Sequence, residues 1–325
     1  MKLGVLLPHF GRHSSTRLVI DLAPQLESWG FASVWVRDHL AFRPHGFEDQ
    51  TSRFMEPFTT LSAVAQATET IGLGTAVTVP FRHPLLVSQM FGSIADIAGP
   101  HRVVAGIGAG QPRLPFEATG TDYGSRFART REFAEVLRAT FSGDEVSFTG
   151  RFFQFDGVRI NPPAGAQTPI WYGGSSRGSV VRAAEYCDGW LPARAPSRIL
   201  RSRLEELAEL SSSRAKQLTA AYMPLVSVFG SARDSLPNEV MGSLLDEARG
   251  NRAWEGEFDS LADLSGMVIS GTPEQCVDQL LELEQLGFSE IILDLRLHFD
   301  DYEAQLDLIA RDVLPAFTLA CGNEA

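Results

Sequence analysis

Lysine is almost missing: only Lys2 and Lys216 occur in 325 residues, so arginine is the cation of this chain. No lysine cluster is therefore at hand to hold a substrate phosphate. Acidic residues outnumber basic ones, 40 to 28, for a net charge of −12. That balance excludes a nucleic-acid groove or an anionic membrane surface as the expected partner, since both are polyanions. Cysteine is scarce too, and Cys187, Cys276 and Cys321 show neither metal-ligand spacing nor even pairing, as packing residues of a reducing compartment would. No run approaches the roughly eighteen apolar residues of a membrane span. The apolar start MKLGVLLPHF stops at Pro8, too short for a secretory leader, so a cytoplasmic protein is expected. His9, His39, His45, His83 and His101 offer no HExxH or facial-triad spacing, and no metal is expected. A Walker motif and a GxGxxG at a first strand-to-helix turn are also lacking, which removes the fingerprint of a nucleotide-binding open sheet.

What is present is ordinary globular composition, 44% hydrophobic and 21% charged, arranged in alternation. Apolar runs predict strands at Leu3–Phe10, Ser33–His39, Ile71–Val79, Arg102–Gly110, Ile170–Gly173, Gly189–Ala193, Ala221–Gly230 and Glu290–Leu295. Helical spacing fills the gaps, as in Leu18, Leu22, Leu26 and Trp29, stopped by Gly30. Thr272, Pro273 and Gly287 bracket another helix, and a closing helix is read over Tyr302–Leu319. Eight such alternations indicate an α/β fold of the (β/α)8 TIM-barrel kind, with a doubly wound sheet as runner-up. We read one domain over 1–325 with insertions near 40–56, 144–164 and 231–266, the second an aromatic hairpin about Gly150.

A barrel places its chemistry at the C-terminal ends of its strands. Three stretches there stand out. Gly106, Gly108 and Gly110 recur at period two in strand four, which weakens a strand unless something bulky lies against its backbone. Arg37-Asp38-His39 ends strand two, and an imidazole beside a carboxylate can donate, accept or carry a proton. Gly173-Gly174-Ser175-Ser176 joins a strand to a helix, where free N–H groups and hydroxyls form an anion seat. Together they describe a phosphate-bearing planar cofactor across the barrel mouth. Arg126, Arg129 and Arg131 open a helix against its dipole, which suggests an outside partner for at least one of them.

These residues resemble the bacterial luciferase-like superfamily of flavin and deazaflavin enzymes, especially its coenzyme F420-dependent branch. The likeness rests on Val36–Leu40 (VRDHL), Ile71–Pro84 (IGLGTAVTVPFRHP), Arg102–Glu132, Pro169–Pro192 (PIWYGGSSRGSVVRAAEYCDGWLP) and Gly271–Gly287 (GTPEQCVDQLLELEQLG). It implies a TIM barrel with the cofactor at its mouth. It further implies a strand-three bulge at Ala76, Val77 and Thr78, with a non-proline cis peptide at Ala76-Val77, behind the deazaflavin ring. Gly108, Ala109 and Gly110 match the floor of that site, and Gly173, Gly174, Ser175 and Ser176 its phosphate loop. Asp38 and His39 match the pair where deazaflavin and substrate meet.

One departure matters. Similar sugar-phosphate dehydrogenases carry a glutamate where this chain has Gln111, and an amide cannot transfer a proton in that role. Proton work then falls to His39, or to another group such as Glu56. His9, Phe10, Phe42, Glu56, Arg113 and Trp190 are taken as substrate contacts for a small organic molecule. The resemblance implies an F420-dependent oxidoreductase moving hydride to or from C=C, C=N or C=O bonds. An FMN-dependent monooxygenase of the same superfamily is the alternative, and a barrel without catalysis the third. Related enzymes also imply a homodimer through the helices after strands two and three.

Overall fold

The computed structural model describes residues 1–11, 14–40, 53–231 and 234–318. Eight parallel strands close into a barrel: β1 Lys2–Leu6, β2 Ser33–Val36, β3 Gly72–Thr75, β4 Val103–Ile107, β5 Ile170–Gly173, β6 Gly189–Leu191, β7 Thr219–Tyr222 and β8 Glu290–Leu293. Neighbours run in chain order and β1 closes on β8, pairing Val5 with Leu293. This is the TIM barrel the alternation predicts.

The helices that wrap it are α1 Thr16–Trp29, α2 Pro57–Ala67, α3 Pro84–Ala98, α4 Arg126–Thr140, α5 Arg177–Tyr186, α6 Ser197–Ser213, α7 Pro273–Leu286 and α8 Tyr302–Asp312. Their ends follow local chemistry. Ser15 Oγ accepts from the Leu18 N–H at 2.9 Å to start α1, and Gly30, at φ +95°, ends it as only a residue without Cβ does cheaply. Thr272 and Gln275 form a reciprocal cap on α7. Among the described residues no helix is long and apolar enough to cross a membrane.

The core has two parts. A continuous layer lies between strands and helices, and a smaller cluster of Leu6, Phe10, Trp35, Trp171, Leu191, Ala221, Met223 and Ile292 fills the lumen. Trp35 and Trp171 stack there at 5.4 Å and 25°. Two glycines make room: a Cβ on Gly74 would stand 2.3 Å from the Trp35 ring, and one on Gly189 2.7 Å from Trp171. The barrel is thus packed solid below its mouth.

Several boundaries differ from the sequence reading. The run Ala221–Gly230 is not one strand. Pro224 interrupts it, and Leu225–Val228 leaves the barrel to pair with Val268–Gly271 in a separate parallel ribbon, a partner with no alternating signature of its own. Strand one ends at Leu6, and Phe10–Gly11 pairs antiparallel with Arg53–Phe54. The closing helix breaks before Pro315, leaving a short helix Pro315–Thr318, and Leu319 lies outside the described residues. The hairpin forms from Val146–Thr149 and Gln154–Val158. Most of the insertion near 40–56 lies outside the described residues. The stretch from 231 to 266 holds a helix over Asn238–Gly250 and a short 3-10 turn over Leu261–Leu264.

Candidate active site

The mouth of the barrel is built from a bulge on one strand and glycines on its neighbours. Past β3 the Ala76–Val77 peptide is cis, and the chain then rejoins the sheet through Thr78, whose N–H donates to Gly106 at 2.8 Å and whose carbonyl accepts from Gly108 at 2.9 Å. The cis bond falls where the resemblance places it. A Cβ on Gly108 would meet Val77 at 2.6 Å, one on Gly173 would meet it at 2.7 Å, and one on Gly106 would strike the Thr75 carbonyl oxygen. The glycine row therefore receives the bulge itself, where the sequence suggested a flat ligand against the strand-four backbone. Ala109 is buried, and Gly110, at φ +75°, packs beside Val79 and Phe116. Thr78 Oγ1 is buried with no hydrogen-bond partner, which leaves a polar group of the bulge unsatisfied by protein.

On the β2 side, Arg37, Asp38 and His39 diverge. Asp38 is buried and receives a bidentate pair from Arg82, at 2.9 Å from Nε and 2.8 Å from the second nitrogen, plus a long contact of 3.4 Å from the Val79 N–H. Burial pushes the Asp38 carboxyl up, against the pull of the guanidinium. Arg82 is held above its ordinary value: burial opposes the cation, but Asp38 and Glu56 outweigh it. Glu56 lies 3.1 Å from Arg82 through one oxygen and caps α2 through the other, at 2.7 Å from the Thr59 N–H. Asp38 thus braces the strand-three loop and is not the partner of His39 that the adjacent positions suggest.

His39 Nε2 instead accepts from the Arg37 guanidinium at 3.0 Å. Arginine has only donors, so Nε2 is the lone-pair nitrogen and the ring proton sits on Nδ1. The His39 ring leans on Phe54 at 4.8 Å, and Arg37 lies over the faces of Phe10 and Phe54 at 4.7 and 5.6 Å.

His9 behaves differently from the substrate contact it was read as. It is fully buried, Nδ1 donates to the Leu7 carbonyl at 2.9 Å and Nε2 accepts from the Arg37 N–H at 3.0 Å. Burial lowers its pKa to about 4, so it is a neutral pin between two strand ends. Phe10 is packed among Phe54, Phe299 and two arginines, and Trp190 is fully buried behind β5. Both rings are enclosed, so neither offers an exposed face to a substrate. Arg113 is on the rim, largely exposed, with its guanidinium 4.9 Å from the Tyr123 ring. Gln111 is exposed beside it, and its carbonyl accepts from Tyr123 at 2.8 Å. Phe42 lies outside the described residues.

The Gly173–Ser176 loop leads into α5. Gly174, at φ +133°, leaves room for Ser179, whose Oγ would be 2.6 Å from a Cβ there. Ser176 Oγ accepts from the Ser179 N–H at 3.2 Å and so caps the helix. The Trp190 indole donates to the Gly174 carbonyl at 2.8 Å, and the Trp254 indole to Ser175 Oγ at 2.9 Å. Among the described residues no protein acceptor engages the N–H of Ser175, Ser176 or Arg177. A loop with open donors at a helix N-terminus, together with an orphaned hydroxyl at Thr78 on the bulge, fits a phosphate-bearing planar group.

Sequence reasoning missed Arg82, although a carboxylate at a strand end calls for a cation, and it missed Trp254, for which no pattern in the chain gives notice. Of the arginines that open α4, Arg126 sits over Tyr123 at 3.9 Å, Arg129 lies over Phe153 at 5.0 Å and Arg131 pairs with Glu135 at 3.0 Å, while the Nε atoms of Arg126 and Arg129 are buried without a hydrogen-bond partner.

The chain is similar to known proteins over most of its length. Residues 1–290 match a family described as luciferase-like monooxygenase. The chain is 26% identical to a 5,10-methylenetetrahydromethanopterin reductase of Archaeoglobus fulgidus, covering 97% of this chain and 99% of that one. A stretch of 193 residues is 35% identical to an F420-dependent hydroxymycolic acid dehydrogenase of Mycobacterium tuberculosis, spanning 58% of this chain and about half of that one, 52%. An F420-dependent secondary alcohol dehydrogenase, solved with an F420-acetone adduct, superposes with a TM-score of 0.80 at 19% identity, covering 97% of this chain and 98% of the other.

Proposed function

Because the chain belongs to the luciferase-like monooxygenase family, we propose that it is an F420-dependent oxidoreductase that moves hydride to or from a C=C, C=N or C=O bond of a small organic substrate. The observation that carries this reading is the presence, about one barrel mouth, of the open N–H groups of Ser175, Ser176 and Arg177, the unsatisfied Thr78 hydroxyl and His39 with its proton on Nδ1. The dehydrogenase and reductase names of its relatives support deazaflavin over FMN. When bound, the deazaflavin exchanges hydride at its carbon five, and the protein supplies position and a proton.

In this reading the N–H groups of Ser175, Ser176 and Arg177 hold the phosphate at the helix N-terminus. The Ala76–Thr78 bulge, kept in place by Gly106, Gly108 and Gly173, backs the ring, and Thr78 Oγ1 gains the partner it lacks. Arg37 fixes the tautomer of His39, so the Nδ1–H is the proton donor to a reduced product, or Nδ1 the acceptor in the reverse direction. Gln111 orients by hydrogen bonding only. Glu56 is engaged by Arg82 and by the helix it caps, so it is a weaker choice for the proton. We carry the homodimer in the same reading, with exposed Leu86 and Ile97 of α3 as the surface to probe by light scattering.

The test is a side-by-side fluorescence titration of apoprotein with coenzyme F420 and FMN. Micromolar or tighter binding of F420 with little for FMN is expected. A preference for FMN would move the chain to the monooxygenase alternative and send the next assay to oxygen consumption.

A further inference from the structure

The Trp254–Ser175 hydrogen bond joins two parts of the chain that the barrel alone does not bring together. Trp254 lies in the turn after the inserted helix Asn238–Gly250 and is 6% exposed, packed on Phe258 at 6.0 Å. That turn is fastened to α6 at several points. Arg198 donates to the carbonyls of Glu255 and Glu257 at 2.6 and 2.8 Å, and Arg203, nearly buried, grips the Glu255 carboxylate at 2.7 and 2.6 Å. Gly256, at φ +94°, presses so close that a Cβ would stand 2.4 Å from the Arg198 guanidinium. Arg194, at the end of β6, holds Glu247 of the inserted helix at 2.8 Å. The insertion is therefore fastened to α6 and to the end of β6, and one of the groups it presents to the Gly173–Ser176 loop is an indole N–H.

An indole nitrogen only donates. Ser175 Oγ must accept from it, which commits one lone pair and leaves the hydroxyl proton free to be given away. Ser176 Oγ accepts from the Ser179 N–H and shares a hydrogen bond with the Ser179 hydroxyl, 2.8 Å away, whichever of the two donates, so it is turned toward the helix it caps. The two serines of the loop thus divide the work: Ser176 caps the helix and Ser175 is the donor.

We infer that Trp254 is a positioning residue of the anion seat: it turns Ser175 into an oriented hydroxyl donor for the phosphate of the bound cofactor. This rests on the reading of the loop as a phosphate seat given above. The inserted segment is then part of cofactor recognition and not a lid added to a finished barrel.

The experiment compares two ligands, the phosphate-bearing deazaflavin coenzyme F420 and the deazaflavin riboside without phosphate, titrated into apoprotein of wild type, Trp254→Phe, Ser175→Ala and the double variant. Phenylalanine keeps the packing and loses the N–H. Wild type should prefer the phosphate-bearing ligand. Trp254→Phe should weaken that ligand about tenfold, in the range of a hydrogen bond to a charged group, with the riboside changed by less than about twofold. In the Ser175→Ala background the tryptophan change should add nothing, since the two act through one hydroxyl. Equal losses for both ligands, or additive losses in the double variant, would overturn the role of Trp254 while leaving the seat in place. Equal wild-type affinity for both ligands would overturn the seat, and with it this inference. Should Trp254→Phe fold poorly, the loss in Ser175→Ala decides alone: a change confined to the phosphate-bearing ligand supports the donor, and an unchanged affinity for it removes it.

Discussion

The two sides of the barrel mouth are made in opposite ways. The proposed anion seat is built on four consecutive residues, Gly173 to Ser176, and its open donors, the N–H groups of Ser175, Ser176 and Arg177, belong to the backbone at one helix terminus. The opposite side draws His9, Arg37, Asp38, His39, Phe54, Glu56 and Arg82 from three strand ends and a loop, and beside the local Arg37–His39 pair its contacts join residues distant in the chain, Arg37 to His9 and Arg82 to Asp38 and Glu56. A seat of local chemistry tolerates change around it. A network of buried partners does not, because removing one member leaves another without its counterpart.

The largest effect should come from the residue on the networked side proposed to handle the proton. His39→Ala is expected to lower turnover by about 10²- to 10⁴-fold while the dissociation constant for F420 stays within about twofold. Single-turnover kinetics beside a fluorescence titration decides it, and equal losses in both would merge the two sides into one and end the catalytic role of His39. Next in size is Arg82→Met, which strands the Asp38 carboxylate in the interior and should cost about 3–5 kcal/mol by urea unfolding. Adding Asp38→Asn should recover part of that loss; a double variant worse than the single would mean that Asp38 has a further partner.

The smallest effect is a slope. Burial lowers His9 to about 4 from an ordinary 6.5, and the nearby charges of Arg37 and Arg296 add to this, so the folded state refuses a proton that the unfolded chain accepts. Its contribution is complete above pH 6.5 and is lost as pH falls from 6.5 toward 4, up to about 3 kcal/mol. His9→Gln, which has no proton to take up, should flatten that acid branch of the stability curve. An unchanged branch would place the acid sensitivity elsewhere.

The same division explains what could be read in advance. Eight strands, their caps and the strand-to-helix loop before α5 are legible because each is written in a few neighbouring residues: Ser15 and Gly30 about α1, Thr272 and Gln275 on α7, Gly173 to Ser176 before α5. Strand seven was overrun because Leu225–Val228 is as apolar as a barrel strand, and only its pairing with Val268–Gly271 tells them apart. The Asp38-His39 pair was read from adjacency, yet successive residues of an extended chain point to opposite faces, and each found an arginine of its own. The Trp190 and Phe10 rings looked like pocket walls and are core, as large apolar residues usually are.

Val77 sits like a wedge in the spaces that Gly108 and Gly173 leave open. A wedge of that kind sets which positions selection is free to explore. Growth at either glycine displaces the bulge before it ever touches a substrate, so new substrate preferences cannot arise from the floor of this site. They have to be written at the rim, in exposed positions such as Gln111 and Arg113, where a side chain can change size or charge without moving the barrel. In the proposed function, variants of this chain that keep the wedge can therefore differ in what they reduce while keeping how they hold the ring.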